Sequence, residues 1–474
     1  MSSAGTTAGG RVGEVADRLT LRGWAVDPSA GREGACEVVV SDGVLDRVTW
    51  LSGADADGIG ATGTLIAPGF IDLHAHVREP GNEDAETVAT GVAAAAHGGF
   101  TTICVMPNTT PATDDPGIVA RVRAAAARSG SPVRVLVHGA VTAGRGGETL
   151  APLGELADAG VVGFSDDGAP VANAAILRNA LAYAGSLGLP IIDHPEDPTL
   201  TAGAEANEGY VSAVLGLRGW PASAEAGAVA RAIAILADVV RDVPAARLHL
   251  THVSTAAALA HVRAAKEAGR PVTCDITPHH LALTDEWVAG SRRWAWDGLD
   301  DDGVARDPWA DGALEAAPFD SSLRVNPPLR SPEDAAACLA ALVDGTADAI
   351  ATDHAPHTEV DKHVEFGWAA NGISGIETAI GLVLAAVDAG RLPLARAIEA
   401  LTTGPAAVLA QASVNPGLRE GEPADLVVVD RGARWRVDAD SLSSKGKNSP
   451  LLGLELRGVV RLTVACGRVA YIAD

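Results

Sequence analysis

Two histidines, His74 and His76, close the apolar run GFIDLHAH with a single alanine between them. In a strand, residues two apart project to the same side, so both imidazoles face one way and form a natural pair of metal ligands. Further along, other apolar runs end in similar groups: Asp166 and Asp167 after VVGFS, His194 after PIID, His252 after RLHLT, and Asp353 after DAIAT. A lone His-X-His is commonly structural. Four histidines and two aspartates at the ends of successive runs exceed what one tetrahedral zinc takes. The set suits two divalent ions bridged by a carboxylate. Imidazole and carboxylate without thiolate favour zinc, with manganese or cobalt as alternatives. Two such ions acidify a shared water, which is hydrolytic chemistry. Asp166 and Asp167 are adjacent, so they project to opposite sides; one of them is expected to bridge, and the residue types leave either open.

The elements that must position these groups follow a regular rhythm. Eight apolar, β-branched runs read as strands: GFIDLHAH, FTTICVMPN, VRVLVHGAV, VVGFSDD, PIIDHPE, RLHLTHVS, PVTCDITPHH and DAIATDHAPH. Ala-rich helical segments such as DAETVATGVAAAAHGG, AAILRNALAYAGSLG and EAGAVARAIAILADVV lie between them. Eight alternating units predict a (β/α)8 TIM-type barrel over 68–405, with the polar groups at the C-terminal strand ends where barrel enzymes place their sites. Short strand-like runs at both ends, over 16–67 and 406–474, predict one small β-sandwich built from both termini, with 1–15 as a flexible tail. Residues 285–322 are polar, acidic and bear several tryptophans. They read as an insertion after the seventh strand, either a lid or an ordinary surface loop.

Composition narrows the partners. The chain has 474 residues, of which 47% are hydrophobic and 4% aromatic, so a large aliphatic core is expected. The net charge of -24 argues against nucleic acid or an anionic membrane surface. An anionic substrate then needs a local positive charge from a metal or a buried arginine. Cys36, Cys104, Cys274, Cys338 and Cys466 are scattered and form no CxxC pair, as expected of a reduced, cytoplasmic chain. No signal-peptide pattern and no membrane-spanning apolar run is read.

The stretches PGFIDLHAHVREPG, VMPNT, GFSDDG, HPED, THVST, TPHHLALTDE, NPPLRSPED and ATDHAPH together resemble class I dihydroorotases of the amidohydrolase superfamily, with GTLIAPGF and GEPADLVVVD fitting the superfamily's sandwich. The resemblance implies two zinc ions per subunit. His74 and His76 would bind the first, His194 and His252 the second, Asp167 would bridge, and Asp353 would bind the first metal and serve as general base and acid. It also implies that Arg78, Asn108 and His357 grip the substrate α-carboxylate beside His76. Asn326 would hold the ring's amide edge, and Asn371 and Gly372 would lie against the substrate. The implied reaction is the reversible cyclisation of N-carbamoyl-L-aspartate to L-dihydroorotate in pyrimidine synthesis. A homo-oligomer is implied with it, as is aspartate carbamoyltransferase as a possible partner.

Two departures stand out. The family's Ala-His-Cys-Glu reads Asp193, His194, Pro195, Glu196 here, and Asn371 and Gly372 stand where Phe-Gly is usual; an Asn there is expected to bear on substrate choice. His279, His280 and His138 are expected to pack or brace rather than bind metal, and His97, His249, His261 and His363 carry no assignment. Competing readings are another cyclic amidase, such as an allantoinase or a hydantoinase, and a non-catalytic scaffold homologue. Arg78 speaks against the allantoinases, which usually carry Asn there. The lack of a bridging Lys speaks against the hydantoinases, and the full ligand set speaks against the scaffold.

Overall fold

The computed structural model describes residues 11–411 and 414–473. Seven of the eight predicted barrel positions are occupied by parallel strands, and the fourth by isolated bridges. Phe70–Ala75 pairs with Phe100–Val105, and that strand with Arg134–Val137. The fourth position is held by single bridges of Phe164 to Gly139 and to Ile191. Ile191–Asp193 then pairs with Leu248–Leu250, which pairs with Val272–Ile276 and so with Ala349–Ile350. His354 closes the ring, bridging back to Ala75, and His76 N donates to His354 O at 2.8 Å. The strands are short and almost wholly buried, as parallel strands covered by helices are.

The helices form where the alanine-rich segments predict them. Val88–His97 is capped by Thr87, whose side chain accepts from Thr90 N and so satisfies one of the free N–H groups of the first turn. Ala174–Ser186 is capped by Asn173, and Ala222–Val239 is the longest of the three. Their buried faces meet the strands in one core that contains Phe70, Phe100 and Phe164.

A seven-stranded sheet joins the two ends of the chain. From edge to edge it runs Arg468–Ile472, Glu455–Ala465, Leu426–Arg436, Thr64–Pro68, Arg18–Asp27, Arg32–Ser41 and Val44–Trp50. Part of the expected flexible tail is in fact tied down. Gly13 N donates to Val469 O at 2.8 Å, Val469 N donates to Glu14 O at 3.0 Å, and Val15 forms a bridge with Arg468, so this stretch pairs with the edge strand of the sheet. Residues 1–10 of that tail lie outside the described residues.

The first part of the 285–322 insertion packs, with 285–291 buried, and most of 300–322 is exposed. Trp287, Trp294 and Trp296 stack in sequence with centroids 5.8 Å apart at each step. Asp285 Oδ2 accepts from Asn207 Nδ2 at 2.9 Å. Arg330 anchors the neighbouring wall. Its guanidinium meets Glu225 Oε2 at 3.2 Å, Ser254 Oγ at 3.0 Å and Asn207 Oδ1 at 3.1 Å, and lies 4.2 Å over the Trp220 ring. Both partners of the ion pair are buried. Arg330→Ala would strand the Glu225 carboxylate and is expected to lower the unfolding free energy by about 3–5 kcal/mol, read as a shift in the urea midpoint; an unchanged midpoint would refute this anchoring role.

Candidate active site

At the C-terminal strand ends the six ligand candidates meet. His74 Nε2 and His76 Nε2 are 3.2 Å apart. Asp353 Oδ1 is 3.4 Å from the first and 3.1 Å from the second, and Asp167 Oδ2 is 3.3 and 3.5 Å from them. On the other side of the same carboxylate, Asp167 Oδ1 lies 3.4 Å from His194 Nδ1 and 3.5 Å from His252 Nε2, which are 2.9 Å apart. Bonds of about 2.0–2.1 Å in a tetrahedron give ligand-to-ligand edges of about 3.3 Å. Each half of the cluster therefore has the outline of one coordination shell, and Asp167 belongs to both.

The chemistry of the donors also asks for cations. Asp167 Oδ1 is buried and makes no hydrogen bond, a costly state for a carboxylate oxygen unless an ion satisfies it. Burial opposes a proton on His74, yet Asp167 and Asp353 raise its pKa to about 9. Burial opposes one on His194 too, and the carboxylates of Asp167 and Glu196 beside it raise its pKa to about 10. The carboxylates thus draw positive charge into the site, and a metal ion would supply it where the imidazoles stay neutral. Asp166 points the other way. Its Oδ1 accepts from Val141 N at 2.8 Å and Thr142 N at 3.1 Å, so it holds a loop and leaves Asp167 to face the histidines.

Neighbouring groups fix each ligand. Asn108 Oδ1 takes the Nδ1–H of His76 at 2.8 Å, which leaves Nε2 free to bind. Asp72 accepts from His74 N at 3.2 Å and Thr352 N at 2.8 Å, tying the first strand to the eighth just before Asp353. Asp275 accepts from His252 N at 2.7 Å and from His249 Nε2 at 2.9 Å. His252, Asp353 and Arg78 all have left-handed backbones, with φ of 37°, 46° and 55°, the kind of strain that persists where the surroundings dictate it.

Every predicted substrate contact (His76, Arg78, Asn108, Asn326, His357, Asn371 and Gly372) lines one cavity of about 200 Å³, together with Asp167, His194, His252 and Asp353. That is below the range for drug-sized ligands and suits one small ring. Arg78 Nε donates to Pro356 O at 3.1 Å, and Arg78 Nη2 lies 3.3 Å from His357 Nε2. Burial, then the Arg78 charge, pushes the His357 pKa down to about 4. Gly372 has φ of 148°, and a Cβ there would lie 2.6 Å from Ala355 O and 3.0 Å from His357 Nε2, so the wall admits only glycine. Asn371 presents its backbone: its carbonyl accepts from His357 at 2.8 Å, while its side chain is engaged by Arg324 Nε at 3.0 Å. The departure at this position therefore leaves the amide turned away, toward Arg324. None of the lining residues comes from 285–322. A larger surface cavity of about 880 Å³ lies between that insertion and helix Pro332–Asp344, and it contains none of the ligand candidates.

Reasoning from sequence missed two supports. Glu196 joins His194 to Asn326, at 2.9 Å from each. Asn448 comes from the C-terminal segment and holds the loop from both sides, accepting from His357 N at 2.8 Å and donating to Gly372 O at 2.9 Å. Of the three histidines expected to pack or brace, His138 Nε2 meets Leu73 O at 3.3 Å and His280 meets Thr277 Oγ1 at 2.7 Å; His279 is buried with its ring 4.6 Å from that of His280.

Comparison with known proteins agrees with this geometry. A family model described as Dihydro-orotase-like matches residues 63–257. A dihydroorotase of Anaeromyxobacter dehalogenans is 44% identical over 465 residues, covering 97% of this chain and 99% of its own. One from Pelotomaculum thermopropionicum is 42% identical, covering 95% and 97%. Among solved structures, the L-hydantoinase (dihydropyrimidinase) from Arthrobacter aurescens superposes with a TM-score of 0.74 at 24% identity, covering 94% of each chain. The D-hydantoinase from a Thermus species gives 0.71 at 21%, covering 95% and 94%; at these identities the likeness is one of fold, a barrel with an attached sandwich. With near-complete coverage at more than 40% identity, the chain belongs to the dihydroorotase family.

Proposed function

We propose that this site performs the reversible closure of N-carbamoyl-L-aspartate to L-dihydroorotate and water, in de novo pyrimidine (UMP) synthesis. The observation that carries the reading is the pairing, in one small cavity, of a six-residue ligand set with the Arg78 guanidinium. Two zinc ions held by His74, His76, Asp167, His194, His252 and Asp353 would acidify a water and polarise the scissile carbonyl. Asp353 stands at the mouth as a buried carboxylate. Burial favours its neutral form, but His74 and His76 beside it hold its pKa well below the usual range, so it is ionised and its oxygens are open to a proton. In ring opening it takes the proton from the attacking water and delivers it to the ring nitrogen as the C–N bond breaks and the C–O bond forms. Ring closure runs the same transfers in reverse.

Arg78 supplies the cation that an acidic chain otherwise lacks, and its fork matches the substrate α-carboxylate in two bonds. Asn108 keeps an N–H2 free for the same group, since its oxygen is spent on His76. The hydantoinase reading lacks its bridging Lys here, because the bridging position holds Asp167. The same reading includes a cytoplasmic, homo-oligomeric enzyme and a partnership with aspartate carbamoyltransferase. Five free cysteines, four of them buried, fit a reducing compartment, and among the described residues no helix is long and apolar enough to cross a membrane.

The test compares L-dihydroorotate with dihydrouracil, the same ring without the carboxylate. Dihydroorotate is expected to be preferred by at least about 10³-fold in kcat/KM, and Arg78→Ala is expected to raise KM for dihydroorotate by about 10²-fold. Equal turnover of the two rings would sink the reading.

A further inference from the structure

Glu196 is a buried carboxylate in the departure segment after the fifth strand. Its Oε2 lies 2.9 Å from His194 Nε2 and 2.9 Å from Asn326 Nδ2. Its Oε1 accepts from Thr201 Oγ1. All three neighbours therefore donate to it. Because the carboxylate accepts only, it holds the His194 proton on Nε2 and leaves Nδ1 as a lone pair facing Asp167 and His252. It likewise fixes which way the Asn326 amide is turned. With Nδ2 drawn to Glu196, Asn326 Oδ1 is left buried with no protein partner, in a residue that lines the cavity. An unsatisfied acceptor at a pocket wall is a site for a donor on the ligand.

We propose that Glu196 is a positioning residue that sets two things with one oxygen: the ligating tautomer of His194 and the acceptor-inward orientation of Asn326, which then recognises a ring N–H. The proposal rests on the reading of His194 as a metal ligand and Asn326 as a substrate contact. Through this link, occupancy of the second metal half-site and recognition of the ring's amide edge depend on the same carboxylate.

Glu196→Gln separates this from a packing role. Glutamine keeps the volume but replaces the charged carboxylate with one neutral acceptor oxygen, so the hold on His194 and Asn326 weakens even where Thr201 turns its hydroxyl to accept from the new amide. Metal-free wild type and variant would be titrated with Co²⁺, following the visible spectrum and metal content, and assayed on dihydroorotate at saturating metal. The first ion is expected to bind both proteins alike. The second is expected to bind the variant about 10- to 100-fold more weakly, with KM raised about tenfold even when metal saturates. Glu196→Ala is expected to show the same pattern more strongly; if it does not fold, the glutamine variant decides. Unchanged affinity for the second ion together with unchanged KM would overturn the proposal, as would a fall in thermal stability alone. If wild type fails to open the ring, the functional reading falls. The cobalt titration then still judges Glu196: a weakened second ion supports its hold on His194, and an unchanged one refutes it.

Discussion

Asp353→Asn is expected to lower kcat for dihydroorotate ring opening by about 10³-fold or more while the protein stays folded. The loss follows from the one role no neighbour can assume. Asp353 Oδ1 lies within 3.4 Å of both first-strand imidazoles, and its carboxylate is the group placed to receive a proton at the cavity. Asparagine has the same shape and tolerates the left-handed backbone that this position adopts at φ 46°. The segment is also held independently of the side chain: Thr352 N donates to Asp72 at 2.8 Å, and His354 N donates to Thr352 Oγ1 at 3.1 Å. A general base contributes about 10²- to 10⁴-fold, and a weaker metal ligand adds to that. Steady-state kinetics beside a circular-dichroism melt and metal analysis checks it. A folded variant within tenfold of wild type would remove Asp353 from the chemistry.

The second large effect distinguishes two adjacent aspartates. Asp167→Ala is expected to lose bound metal and at least about 10³-fold in activity, because its two oxygens face the two halves of the cluster. Asp166→Ala is expected to keep its metal and lose stability instead. Without that side chain, Thr142 N and Thr142 Oγ1 lose their acceptor, while Val141 N keeps Ser165 O at 3.3 Å, a loss of about 1–3 kcal/mol for a buried group left unpaired. Metal content per subunit and a thermal melt on both variants decide the matter. Metal retained in the first and lost in the second would reverse the assignment.

Those aspartates also show how far a sequence can be read. Alternation along a strand says that neighbours point apart, but the direction of the barrel interior is set by pairing with strands far along the chain, so the residue types leave either open; the resemblance implies Asp167, and it is the Asp167 oxygens that face the histidines while Asp166 turns to Val141 and Thr142. The histidines were legible because strand ends are marked by a switch from β-branched to polar residues, and eight such switches give the barrel. Asp72 lay in reach of the same argument. It shares the alternation of His74 and His76, but a carboxylate two residues inside an apolar strand reads as an exception until its partners at Thr352 are seen. Asn448 left no local signal. It lies in SSKGKNSP, a loop-like stretch, and supports the cavity wall only because the C-terminal segment crosses from the sheet to the loops at 355–357 and 371–374. The insertion at 285–322 divides in two. Its acidic, polar composition suggests an exposed loop, which holds for most of 300–322, while 285–291 is buried and the tryptophans beside it pack together.

The most direct test of the central claim is the turnover of L-dihydroorotate by the purified protein, measured beside hydantoin and allantoin, before chelation, after it, and after zinc is restored. The expected result is ring opening of dihydroorotate alone, lost with the metal and returned with zinc. Turnover of another ring in its place, turnover that survives removal of the metal, or no turnover of any ring with zinc bound would contradict the account.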